Sequence, residues 1–160
     1  MQNSKNTLIT YIYDKLTLIE MTVNNKPPNL FWAVAIFAIV WNLVEIYFSS
    51  VEFNFLEKNS TTEEFSRIQS LPIWYIVVFL IALFAETLGS FMLFMRKKIA
   101  TKFFLVALIG LIFIEIYWLF YFDIKNTSVL ISVVIPLLVI AVAIFLYYFS
   151  KGAEKNGWIK

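Results

Sequence analysis

At 160 residues the chain is 61% hydrophobic, 19% aromatic and only 15% charged, far below the roughly 25% charged residues of a soluble domain. It is read as one integral membrane domain, since no segment is polar enough for a separate globular unit. With neither Cys nor His, disulfides, thiolate catalysis, Cys or His zinc sites and bis-His haem ligation are excluded; the net charge of +2 gives no basis for nucleic-acid binding, and no cofactor is expected.

Residues 1–26 read as a cytoplasmic or interfacial tail. Leu8, Ile9, Ile12, Leu16 and Ile19 suit a short amphipathic helix, but Asp14 and Lys15 in its middle make it too polar to span and unlike a signal peptide. Pro27 and Pro28 uncouple it from the membrane domain and suit a helix start just beyond.

The membrane domain is read over residues 27–150, with spans at about 30–49, 72–95, 102–122 and 128–150, each near the ~20 residues a crossing needs. The second carries the clearest signal. From Leu71 its one charge is Glu86, until Arg96, Lys97 and Lys98 close it. Residues 151–160 form a second tail.

Four spans put both termini on one side. Ten of the Lys and Arg residues fall on the side of the termini and three, Lys58, Arg67 and Lys125, on the other. That bias predicts an all-α, polytopic four-helix bundle with both termini in the cytoplasm.

The loop after the first span, about Val51 to Ser70, pairs Ser60 with Glu63 and Thr61 with Glu64 at capping-box spacing, which predicts a short helix near Thr62–Gln69. Pro72 falls in the first turn of the second span. Trp74, Tyr75, Tyr117, Trp118 and Tyr121 toward one membrane surface, and Trp32, Tyr147 and Tyr148 toward the other, read as interface anchors. Trp41 lies deeper, four residues before Glu45, where its indole donor is expected to reach the carboxyl group.

The candidate chemistry rests on Glu45, Glu86 and Glu115, one in each of the first three spans, with no cation inside any span. Counted from the span midpoints, Glu45 and Glu115 lie roughly 8 and 4 Å to the outer side and Glu86 roughly 4 Å to the inner side. An ionised, unpaired acid at such depth costs several kcal/mol. Ala82, Ala85, Glu86, Gly89 and Ser90 form a small-residue seam that aims Glu86 into the bundle; Ala38, Asn42, Glu45 and Ser49 share a stripe of the first span. Glu115 shares its face with Leu111, Trp118 and Leu119. In the fourth span Pro136 is expected to free the Ser132 carbonyl and kink the helix. Glu45, Glu86, Glu115, Asn42, Trp41, Ser90 and Ser132 are thus the candidate pathway residues.

Two readings stay open. The acids either donate hydrogen bonds across helix interfaces, as glue of ~0.6 kcal/mol each, or line a path for protons or a small polar solute. Three carboxylates without a nucleophile or metal ligands make a poor catalytic set, so an enzyme is not expected. A four-helix bundle encloses little space, so a transport path implies a homodimer.

Ala85-Glu86-Thr87-Leu88-Gly89-Ser90 is similar to the membrane-embedded glutamate motif of small multidrug-resistance transporters, four-helix antiporters that pair as dimers. The match covers six residues and sits in the second span, where that family carries it in the first, and the charge bias here is stronger, so no role is carried over.

From Met21 onward, Asn25-Lys26-Pro27-Pro28-Asn29-Leu30-Phe31-Trp32, Trp41-Asn42-Leu43, Arg96-Lys97-Lys98-Ile99-Ala100 and Gly157-Trp158-Ile159 resemble small bacterial four-helix membrane proteins usually labelled sugar transporter. The resemblance implies four spans, a bacterial cytoplasmic (inner) membrane, a sugar-type solute and residues 1–20 as an extension. It names no binding residue.

Overall fold

A computed structural model shows why these segments fold as they do. The structure describes residues 26–59, 66, 69–121 and 133–160. Among them the secondary structure is four α-helices and no strand: α1 Asn29–Asn59, α2 Ile73–Phe94, α3 Ile99–Tyr121 and α4 Ile135–Lys155. Each contains a stretch of 21 or 22 residues long and apolar enough to cross a membrane. A helix satisfies its own backbone polar groups, which is what allows a chain to cross hydrocarbon. The protein is an all-α, multi-pass membrane protein.

Prolines set the helix starts. The Phe31 N–H donates to Pro28 O at 2.9 Å, and the Tyr75 N–H to Pro72 O at 2.9 Å, so Pro72 caps α2 from just outside it. Pro136 stands in the first turn of α4, after a wider π-type turn at 133–134. The helical turn is thus widened immediately before Pro136, and the chain continues as α-helix beyond it. The Ser132 carbonyl, with the kink expected from it, lies outside the described residues.

Helix lengths depart from the expected spans. α1 runs ten residues past Ser49 to Asn59. The sequence turns polar there, but Val51–Asn59 holds no Pro or Gly to stop a helix. Ser49 Oγ donates back to Glu45 O at 2.8 Å without breaking the ladder. In the following loop the Ser70 N–H donates to Ser66 O at 3.1 Å, a helical spacing. Ser60, Thr61, Glu63, Glu64 and the rest of the expected short helix lie outside the described residues, as do residues 1–25. The expected start of the fourth span near residue 128 lies outside the described residues, and α4 ends at Lys155, five residues beyond Ser150.

Chain order is spatial order: α2 packs on α1 and α3, and α3 on α4. The α2–α3 contact is backbone-close because both helices carry glycine there. A Cβ on Gly89 would sit 3.1 Å from the Phe104 ring, and one on Gly110 would sit 3.0 Å from Ala82 Cβ. The outer faces are apolar side chains such as Leu43, Phe84, Ile109 and Leu137, suited to acyl chains.

One end of the bundle is closed by its own chain. α2 and α4 both finish in Schellman motifs, with Lys97 N–H on Met92 O at 2.8 Å and Trp158 N–H on Ala153 O at 2.9 Å. The left-handed residue is Gly157 (φ 70°) in one and Arg96 (φ 59°) in the other. The two turns then pair. Lys160 N–H donates to Arg96 O at 2.7 Å, Lys98 N–H to Lys160 O at 3.1 Å, and Arg96 Nε to Trp158 O at 2.7 Å. Phe31 of α1 joins them, with ring centroids 6.1 Å from Phe149 and 6.2 Å from Trp158, above a buried layer of Leu93, Phe104, Leu146 and Ile159. The start of α1, the α2–α3 turn and the end of α4 therefore share one end. At the other, Trp74 packs on Tyr117 at 4.7 Å, as expected of a second aromatic girdle.

Candidate functional site

The small-residue seam read from the sequence is the buried face of α2: Ala82, Ala85, Glu86, Gly89, Ser90 and Leu93. On α1 the buried stripe includes Ala38 and Asn42, with Glu45 half-buried one turn further on. Where these faces meet, Asn42 (2% exposed) lies against Ser90 and Glu86 (each 1% exposed).

Asn42 is saturated. Its Nδ2 donates to Ala38 O at 2.8 Å and to Ser90 Oγ at 2.9 Å. Its Oδ1 accepts from Thr87 Oγ1 at 3.2 Å, a hydroxyl also directed at Leu83 O at 2.8 Å. Ser90 Oγ in turn donates to Glu86 O at 3.0 Å. Every member has a partner, which lets a polar cluster hold two helices together in hydrocarbon. Thr87 is not among the sequence candidates. Its signal is position: it lies about one turn before Ser90 and one residue off the seam, on the flank facing α1.

Glu86 differs from these neighbours. Both carboxyl oxygens are buried and neither has a hydrogen-bond partner among the described residues; the same holds for Oε2 of Glu45. Counted from the Asn42–Ser90 hydrogen bond, Glu45 lies three residues on along α1 and Glu86 four residues back along the antiparallel α2, which sets the two acids at about the same depth. Buried polar atoms are nearly always paired, and those that are not tend to mark a functional group.

Glu115 is not brought to this pair. From the level where Gly110 meets Ala82, Glu86 lies four residues toward the closed end and Glu115 five toward the other, ~14 Å apart along the bundle at ~1.5 Å per residue. The expected Trp41–Glu45 hydrogen bond is not formed. Trp41 Nε1 is buried without a partner among the described residues, and its ring lies against Phe37 at 6.1 Å. Ser132 lies outside the described residues. Among them, no group of three or more His, Cys, Asp or Glu is placed to hold a metal ion.

The arrangement thus sets at one depth a hydrogen-bonded amide–hydroxyl cluster that joins α1 to α2 and a Glu86 carboxyl group without a hydrogen-bond partner among the described residues. Comparison of the chain with protein-family models, curated proteins and solved structures gave no match.

Proposed function

We propose that the protein is a transporter, or permease component, for a small polar solute of the sugar type, coupled to protons through Glu86 and Glu45. The observation that carries the reading is the contrast within one interface. Asn42, Thr87 and Ser90 make the interhelical hydrogen bonds, whereas the Glu86 carboxyl makes none among the described residues. Helix glue is supplied by the amide and hydroxyls, so Glu86 is available to a proton or a solute hydroxyl. The sugar class comes from the resemblance of the Asn25–Trp32, Trp41–Leu43, Arg96–Ala100 and Gly157–Ile159 stretches. A homodimer in a bacterial cytoplasmic membrane, termini inside, completes the proposal.

The test is proteoliposome flux over a sugar panel with an imposed pH gradient. The parent chain is expected to move at least one solute, and Glu86→Gln to abolish the movement while folding is kept, because the amide preserves volume but cannot ionise. No flux with any sugar would leave a non-transport membrane scaffold, the reading that the hydrogen-bonded Asn42 cluster taken alone favours, whereas flux unchanged in Glu86→Gln would keep transport and overturn the role of Glu86 in it.

A further inference from the structure

At the closed end, α3 and α4 leave a groove of about 430 Å³, within the size range of small-molecule sites. Its rim carries Lys98, Lys102 and Lys151 against one carboxylate, Glu154. Its wall continues into Ile99, Leu105 and Tyr147. From Lys98 to Leu105 is seven residues along α3, ~10 Å of descent toward the hydrocarbon. The groove is therefore cationic at its mouth and apolar below.

Two details fix this chemistry further. Lys151 Nζ sits 5.8 Å from the Tyr147 ring centroid, a cation–π distance that holds the ammonium beside the groove wall. Thr101 also lines the groove, with its hydroxyl oxygen buried beneath the surface.

We propose that this groove binds the phosphate headgroup of an anionic phospholipid, with Lys98, Lys102 and Lys151 around the phosphate and the lipid's glycerol and upper acyl chains along Ile99, Leu105 and Tyr147. Cations at the mouth alone would suit any phosphate. The apolar descent beneath them gives a soluble phosphate nothing to contact but continues the path of an acyl chain, and basic pockets between spanning helices are suited to anionic headgroups. The site is separate from the Glu45–Glu86 pair and does not depend on transport.

The test is native mass spectrometry of the full chain in nonionic detergent, offered phosphatidylglycerol and phosphatidylcholine of equal chain length. Phosphatidylglycerol is expected to be retained about tenfold more than phosphatidylcholine. The preference should vanish in Lys98→Gln/Lys102→Gln/Lys151→Gln and persist in Lys26→Gln/Lys97→Gln/Lys155→Gln, which removes equal charge outside the groove. Equal retention of the two lipids by the parent chain overturns the proposal whatever the variants do. Equal loss in both triple variants, each checked by its unfolding midpoint, would reduce the effect to general surface charge and also overturn it. Displacement of phosphatidylglycerol by millimolar inorganic phosphate would assign the groove to a soluble phosphate instead of a lipid; persistence of the lipid against phosphate supports the headgroup reading.

Discussion

Asn42 Nδ2 donates to Ser90 Oγ at 2.9 Å across the α1–α2 interface, one turn from a carboxyl group that no donor reaches among the described residues. The amide is the strongest polar tie between the two helices. Asn42→Leu is expected to lower stability in micelles by roughly 1 kcal/mol, the scale of interhelical hydrogen bonds in membranes. The cost stays modest because Thr87 and Ser90 keep their intrahelical acceptors, Leu83 O and Glu86 O. Steric-trap or denaturant unfolding measures it; a loss of several kcal/mol would mean that α1 depends on this residue for docking.

The shared depth of Glu45 and Glu86 is read by a double-mutant cycle. Stability changes of Glu45→Gln and Glu86→Gln are expected to depart from additivity by roughly 0.5 kcal/mol or more, because both acids lie at the depth of the Asn42–Ser90 hydrogen bond, whereas Glu86→Gln and Glu115→Gln should add within about 0.5 kcal/mol. The reverse pattern would place Glu115 in the pair.

Two glycines of the α4 end should respond with opposite sign. A Cβ on Gly152 meets nothing within 4 Å, so Gly152→Ala is expected to stabilise the helix by up to about 1 kcal/mol. Gly157, at φ 70°, should lose about 1 kcal/mol on substitution by Ala. Thermal unfolding of the two variants side by side decides it, and the same sign in both would contradict the Schellman geometry.

At the α2–α3 contact, Gly110→Ala would bring its Cβ to 3.0 Å from that of Ala82, two methyl carbons on rigid backbones. Destabilisation of about 1–3 kcal/mol is expected, with recovery in the double variant Gly110→Ala/Ala82→Gly. Failure of that rescue would show that the close approach lies elsewhere.

Much of this is legible in the residues. Ala82, Ala85, Glu86, Gly89 and Ser90 announce the buried face of α2 because membrane helices approach on small side chains, and the burial follows that stripe. The partner of Ser90 is not legible, since the register between two helices is set by packing along their whole length and neither sequence alone carries it. Trp41 shows the same limit: its spacing to Glu45 permits a bond, but spacing does not set the rotamer, and the indole donor has no partner among the described residues. The end of α1 escapes a reading by polarity because Ser49 marks where the sequence becomes polar, and helices stop for backbone reasons that Val51–Asn59 does not supply. Counting from the span midpoints separates Glu45 from Glu86 by ~12 Å, whereas the Asn42–Ser90 contact sets these two at about one level, with Glu115 displaced toward the opposite end from Glu86.

The charged end also answers to a topology measurement. Cysteines placed near Lys98 and Gly152 should resist a membrane-impermeant reagent applied to intact cells, while cysteines near Thr61 and Thr127 should react, as the distribution of Lys and Arg requires. Equal labelling at all four would indicate dual orientation.

The glycine contact between α2 and α3 differs in kind from the docking of α1. Those two helices pack tightly where Gly110 meets Ala82 and where Gly89 takes the Phe104 ring, and they are joined again through the short turn at Arg96. α1 is held to them both by the buried apolar residues Phe31, Val34, Ala35 and Ala38 and, deeper in the bundle, by the Asn42–Ser90 hydrogen bond. Wetting Glu86 therefore requires the α1–α2 face to part at its polar level.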